Sequence, residues 1–202
     1  MSDHGYLEII LGPMFSGKTS KLIEIYNKNS DNTVAINYLG DQRYDEKKLS
    51  THDKIMIPCI QAHKLKDVYQ QMIESDVILI NEGQFFEDLF KIVCDLVETH
   101  HKIIHIAALD GDFQRNMFGQ ILQLLPRSDD YLKLHALCSQ CKDGTKAAFS
   151  HRISYESQQI SIGSDNYVPL CRKCYETNTI KINNIEKELI QHSQNLFSEN
   201  EK

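Results

Sequence analysis

Four short apolar runs rich in β-branched residues punctuate the first half of the chain: Tyr6 to Leu11, Thr33 to Leu39, Val77 to Ile80 and Ile103 to Leu109. Runs of this length without alternating polar positions suit strands buried on both faces, as in parallel sheets. Between them the period changes. Lys18 to Asn29 carries Leu22, Ile23 and Tyr26, Lys64 to Ser75 carries Leu65, Val68, Met72 and Ile73, and Glu87 to Thr99 carries Leu89, Ile92, Val93 and Leu96, all at helical spacing. Alternation of strand and helix predicts an α/β layer fold with a parallel sheet and right-handed crossovers.

The rhythm breaks after Pro126. Lys133 to Leu137, Lys146 to Ile153 and Gln159 to Ile162 read as short strands bracketed by two CxxC pairs, a second and smaller lobe. Beyond it, Lys181 to Lys202 has Ile185, Leu189, Ile190 and Leu196 among polar residues, the pattern of a terminal helix. The expected division is an α/β core over 1–130, a small β lobe over 131–180 and a tail over 181–202. No repeat or low-complexity tract interrupts it.

Composition narrows the class. With 202 residues, 41% hydrophobic and 25% charged, the chain can bury a full core and is neither disordered nor fibrous. A net charge of -6 gives no general attraction to polyanions, which argues against a protein that coats nucleic acid. The start MSDHGYLEII lacks a basic segment followed by a long apolar run, and no stretch approaches the length of a membrane span, so a cytoplasmic protein is expected. Of six cysteines, four form the CxxC pairs, while Cys59 and Cys94 stand apart and read as inert buried thiols.

Gly12 to Thr19 reads GPMFSGKT, a GxxxxGK[ST] pattern placed after a strand and before a helix. Such a pattern arises by chance roughly once in a hundred chains of this length, so the flanking elements make nucleotide binding the stronger reading over a glycine-rich turn. Glycines let backbone N–H groups curl around phosphate oxygens, the helix N-terminus adds positive potential, Lys18 reaches the β and γ oxygens and Thr19 can ligate Mg²⁺. Gly12, Pro13, Met14, Phe15, Ser16, Gly17, Lys18 and Thr19 are therefore the candidate ATP contacts. Glu82, in the segment Asn81 to Phe86, follows the third apolar run; ligands of open α/β sheets gather beyond the carboxyl ends of strands, where a carboxylate can take a proton from an attacking hydroxyl. A solvated loop glutamate is the alternative.

Cys138, Cys141, Cys171 and Cys174 give CxxC, a 29-residue gap and a second CxxC. Four thiolates fill a tetrahedral Zn²⁺ site and leave no open position, which points to structural metal, with disulfides or unrelated thiols as the alternatives.

Together with DQRY (Asp41 to Tyr44), THD (Thr51 to Asp53), EGQFF (Glu82 to Phe86) and LDGDFQRNMFG (Leu109 to Gly119), these motifs resemble the type II thymidine kinases, the zinc-containing cytosolic kind, in that family's order from Leu7 to about Tyr175. The resemblance implies a RecA-like P-loop sheet with helices on both faces, joined to a zinc-binding β lobe whose lasso loop closes over the nucleoside. It implies transfer of the γ-phosphoryl group of ATP, with Mg²⁺, to the 5′-hydroxyl of thymidine or deoxyuridine in dTMP salvage. A homotetramer and feedback inhibition by thymidine triphosphate come with it. By motif, Glu82 resembles the general base and Arg43 the arginine near the transferred phosphate, with His52 and Asp53 in support. Met14, Phe85, Leu109, Phe113 and Phe118 match the apolar nucleoside pocket, and Ser150 and Tyr167 its lasso side.

Two positions depart from the family. Asn81 stands where an aspartate normally precedes the glutamate, so a Walker-B-like charge is missing beside Mg²⁺, and Met117 stands where the approach to the lasso carries proline. The readings that compete with a nucleoside kinase are a P-loop ATPase with a zinc module acting on nucleic acid, which the acidic balance disfavours, and a silent nucleotide sensor, which Asn81 motivates.

Overall fold

In the computed structural model the described residues are 4–40, 48–50, 56–154, 158–160 and 165–180. The strands of the larger unit are β1 (Tyr6–Leu11), β2 (Thr33–Tyr38), β3 (Lys48–Ser50), β4 (Met56–Pro58), β5 (Ile60–Ala62), β6 (Val77–Asn81), β7 (Ile103–Ala108) and β8 (Asp130–Lys133). Six of them form one sheet in the order β5-β2-β6-β7-β1-β8, every pair parallel. β3 and β4 pair separately as an antiparallel ribbon.

Alternation within the central strands sends side chains to two cores. Leu7, Ile9, Ile78, Ile80, Ile104 and Ile106 pack on one face with Leu89, Val93 and Leu96 of helix α3 (Leu89–Glu98) and Met72 of α2 (Tyr69–Glu74). On the other face Ile10, Ala35, Val77, Leu79 and Ala107 meet Leu22, Ile23 and Ile25 of α1 (Lys18–Lys28), with Leu49 and Ile57 from the ribbon. Each fully buried Leu, Ile or Met side chain among them contributes about 1.5–3 kcal/mol relative to exposure. The expected α/β fold with helices on both faces is the observed one.

The sequence pattern is corrected in four places. Lys64 to Ser75 is not one helix: Leu65–Val68 is a 3₁₀ turn before α2, and the Asp88 carboxylate accepts from the N–H groups of Leu65 (3.1 Å) and Lys66 (3.0 Å). Lys133 to Leu137 is not one strand, because Asp130–Lys133 is drawn into the main sheet beside Glu8 to Leu11, while Ala136–Leu137 (β9) pairs antiparallel with Lys146–Ala147 (β10). Lys146 to Ile153 splits into β10 and β11 (Phe149–Arg152), since Ala148 turns its N–H to Leu170 O (3.2 Å) and β11 pairs with β12 (Tyr167–Leu170). Gln159 and Ile160 lie in no strand, and the rest of that expected strand, like the expected terminal helix, falls outside the described residues.

The smaller unit holds β9 to β12 and a helix, α4, covering residues 172–180. Its core is Ala136, Cys138, Ala147, Leu170, Cys174 and Tyr175, with Phe149 and Val168 packed against it. Cys59 and Cys94 are half-buried rather than buried, and burial raises the Cys94 thiol above its ordinary value. Among the described residues no helix is long and apolar enough to cross a membrane.

Candidate functional site

Because the sheet is parallel, β1, β6 and β7 all release their chains at one edge. Leu11 pairs with Ala108 and Asn81 with Ala107, so the loop after β1 and the residue after β6 open onto the same crevice with β7 between them. Gly12 begins the loop with φ 153°, and a Cβ there would lie 2.7 Å from both Leu134 O and Ser16 Oγ, which is why only glycine fits. Phe15 (φ 63°) and Gly17 (φ 85°) take left-handed conformations, the backbone habit that turns successive N–H groups inward as an anion-binding nest. Ser16 Oγ is buried with no hydrogen-bond partner. An orphaned hydroxyl inside a nest at a helix N-terminus fits a phosphate oxygen, so the loop suits ATP. Lys18, 9% exposed, donates from Nζ to Pro13 O at 2.8 Å, curled over the loop it is expected to serve.

Asn81 ties the loop to the next strand but one. Its Oδ1 accepts from Thr19 Oγ1 (3.3 Å) and its Nδ2 donates to Asn37 Oδ1 (2.8 Å), both asparagines being buried. Where a carboxylate would bring charge, a neutral amide ladder runs from β6 to β2. Glu82 follows at φ 56°, ψ 41°, a left-handed conformation rare for a glutamate. Strain of that kind persists where surrounding structure holds it and is concentrated at functional sites. Phe85 N–H donates to Glu82 O (3.1 Å), and Gln84 Nε2 donates to Glu82 Oε2 (2.6 Å).

The expected nucleoside residues fall into groups. Phe85 meets Phe118 edge-on at 5.2 Å and is stacked on Tyr38 at 5.0 Å, and Leu109 N–H donates to Gln84 Oε1 at 3.0 Å. Phe113 and Tyr167 are joined by Arg152, whose guanidinium lies 3.8 Å from the Phe113 centroid and 5.1 Å from that of Tyr167. Ser150 Oγ accepts from Met14 N–H at 2.9 Å, which brings the smaller unit onto the phosphate loop. Met117 is 75% exposed. Arg43, His52 and Asp53 lie outside the described residues.

Sequence reasoning passed over Asn37, Gln84, Asp112 and Arg152. Arg152 is 2% exposed and donates to Tyr167 Oη and to the carbonyls of Gln158 and Gln159 (2.9 Å for the latter), joining the end of β11 to those two residues and to the start of β12. Asp112 accepts from the N–H groups of Gln114 (2.9 Å) and Asn116 (2.8 Å) and from Gln159 Nε2 (2.9 Å). A polar residue flanked by motif aromatics is the signal that marks Gln84 in EGQFF and Asp112 in LDGDFQRNMFG. Asn37 and Arg152 carry none, because their partners are remote in sequence.

The four CxxC cysteines converge, with all four sulfurs within 4.8 Å of one another. Cys141 Sγ is 3.8 Å from Cys171 Sγ and 3.5 Å from Cys174 Sγ. Zn–S bonds of about 2.3 Å in a tetrahedron place sulfurs about 3.8 Å apart, so the cluster fits Zn²⁺ and leaves no position for substrate. Burial disfavours the Cys138 thiolate, yet N–H donors from Cys171, Cys141 and Gln140 bring that thiol down to about 6. Cys174 is pushed up to about 12, chiefly by its hydrogen bond with Cys141. Sulfurs this close cannot all ionise alone, and a dication is what lets them.

The thymidine kinase family model matches residues 5–175. The chain is 44% identical over 188 residues to the thymidine kinase of Yaba monkey tumor virus (strain VR587), covering 91% of this chain and 99% of the relative. It is 42% identical over 175 residues to that of Vaccinia virus (strain Western Reserve), 85% of this chain and 97% of the relative. To that of Sheeppox virus (strain KS-1) it is 42% identical over 178 residues, 86% and 98% of the respective chains. A P-loop sheet, a cluster of four cysteines and these matches over most of the length agree: this chain belongs to the thymidine kinase family.

Proposed function

We propose that this kinase transfers the γ-phosphoryl group of ATP to the 5′-hydroxyl of thymidine, with deoxyuridine as a second acceptor, for dTMP salvage. The observation that carries the reading is the Thr19–Asn81 bond, which fastens the phosphate loop to the strand that presents Glu82. Donor cradle and proton acceptor would thereby be held on one edge of the sheet, and phosphoryl transfer depends mainly on such positioning and on charge neutralisation.

Residues 12 to 19 would wrap the triphosphate, with Ser16 Oγ and the loop N–H groups on its oxygens and Lys18 leaving Pro13 O for the β and γ oxygens. Arg43 would add charge beside the transferred group. Mg²⁺ arriving with ATP would be held by Thr19 and Asn81, and it would neutralise the phosphates. Glu82 would accept the 5′-hydroxyl proton as the oxygen attacks phosphorus. Met14, Phe85, Leu109, Phe113 and Phe118 would line the base and sugar, with Ser150 and Tyr167 closing from the lasso side. Hydrogen bonds in so closed a pocket reject a base that leaves them unpaired. The four cysteines would hold structural Zn²⁺. The family resemblance supports a cytoplasmic homotetramer inhibited by thymidine triphosphate.

Release of ADP from ATP on adding thymidine, and not on adding single-stranded DNA, is the expected result of the direct assay. ADP release driven by the DNA would instead favour an ATPase acting on nucleic acid, and none with either would favour a sensor.

Asn81→Asp is expected to lower the Mg²⁺ concentration giving half-maximal activity, since the new charge stands beside Thr19. Asn37 can turn its amide to donate to the carboxylate, so the ladder survives. A like charge beside a carboxylate raises its pKa, so the acidic limb of the kcat profile should move up in pH. If neither quantity changes in a magnesium titration and a pH series, residue 81 does not touch the metal.

A further inference from the structure

A backbone N–H can only donate and an ionised carboxylate can only accept, so a side chain that must satisfy both at once needs an acceptor and a donor on the same end. That is the situation of Gln84. It is 2% exposed, its Oε1 accepts from Leu109 N–H at 3.0 Å, and its Nε2 donates to Glu82 Oε2 at 2.6 Å. The first bond fixes which end of the amide faces which partner. A glutamate here would set carboxylate against carboxylate, and a lysine would leave the Leu109 N–H without its acceptor.

The backbone of Gln84 is confined as well. Gly119 approaches so closely, at φ 61°, that a Cβ there would stand 2.1 Å from Gln84 O. Gly83 is seated on β7, where a Cβ would come 2.6 Å from Ile106 Cγ2. The amide therefore projects from a backbone with little room to shift, between the end of β7 and the strained residue that follows β6.

We propose that Gln84 is a positioning residue for phosphoryl transfer: its amide aims the Glu82 carboxylate and ties that aim to Leu109, a wall of the nucleoside pocket. The inference rests on the reading of Glu82 as the general base. In this arrangement the Glu82 carboxylate is braced from the acceptor side of the reaction, while the backbone that carries it is tied to the phosphate loop through Asn81. Displacement of the Leu109 segment by a badly fitting nucleoside would pull the amide away from Glu82, so poor fit would be felt in kcat as well as in KM.

The test is a double-mutant cycle on the full-length enzyme, with thymidine and ATP as substrates. Gln84→Met should lower kcat by about ten- to a hundredfold, the worth of a hydrogen bond to a charged group, while the KM for ATP stays within about twofold of wild type, since the amide touches no part of the phosphate loop. Gln84→Glu keeps the outline of the side chain and should also lose kcat, which covers the case in which the methionine variant fails to fold. Combined with Glu82→Gln, either substitution should cost almost nothing further, because residues acting as a unit are strongly non-additive. A wild-type kcat in both single variants overturns the proposal, as does a double variant in which the losses multiply, the signature of a purely structural defect. Should Glu82→Gln itself retain most of its kcat, the general-base reading fails first, and that single variant tells the two failures apart.

Discussion

Glu82→Gln is expected to bind ATP as the wild type does and to lose about a hundred- to ten-thousandfold in kcat, the span over which general acid–base catalysis contributes. The substitution is conservative in shape and decisive in chemistry. A glutamine at this position can still accept the hydrogen bond that Gln84 Nε2 makes at 2.6 Å, and the backbone bond from Phe85 N–H to residue 82 does not depend on the side chain. What disappears is the ability to take a proton. Calorimetric titration with a non-hydrolysable ATP analogue should therefore give an unchanged affinity while steady-state turnover collapses. A variant that keeps most of its kcat would remove Glu82 from the mechanism.

The second large effect is expected at the metal. Wild-type protein purified without chelator should carry about one zinc per chain, the count for one tetrathiolate site, and Cys171→Ser should carry much less and melt at lower temperature. Cys171 would be more than one ligand of four, because its N–H also donates to Cys138 Sγ at 3.3 Å and helix α4 begins immediately after it. The smaller unit has a sparse core in which Leu170 and Tyr175 are the large buried side chains besides the cysteines. Structural zinc contributes on the order of 10 kcal/mol to small domains that fold around it, far beyond what two such side chains supply. Since β11 and β12 carry Ser150 and Tyr167 while the phosphate loop stands on the main sheet, thymidine binding should weaken more than ATP binding. Equal weakening of both, or an undiminished zinc content, would contradict this assignment.

The sheet and its two cores were legible because Leu7, Ile9, Ile78 and Ile80 alternate with Ile10, Val77 and Leu79 in runs too apolar for any other setting. The place of the loop over residues 12 to 19, between β1 and α1, was legible for a different reason: its glycines, Lys18 and Thr19 are contiguous, so local spacing holds all the information. The same is true of each CxxC pair. What could not be read is everything decided by pairing across distance. Nothing in Asp130 to Lys133 announces that it joins β1 as an edge strand, since its residues are mostly exposed and its membership comes from register alone. Arg152 reads as a surface cation until β12 and the Phe113 ring enclose it. Asn81 was visible as a departure, yet its partnership with Asn37 needed β2 and β6 to be neighbours.

The bond from Met14 N–H to Ser150 Oγ has a thermodynamic meaning. It joins the loop expected to hold one substrate to the strand expected to close over the other, with no side chain of the main sheet in between. Any displacement of β11 on nucleoside binding therefore reaches the phosphate loop, and any tightening of that loop around a triphosphate reaches β11. Linkage then requires symmetry: whatever factor the nucleoside applies to the affinity for ATP, ATP must apply to the affinity for the nucleoside. The two ligands can in this way be cooperative through a single hydroxyl, and the order in which they arrive would leave the stability of the ternary complex unchanged.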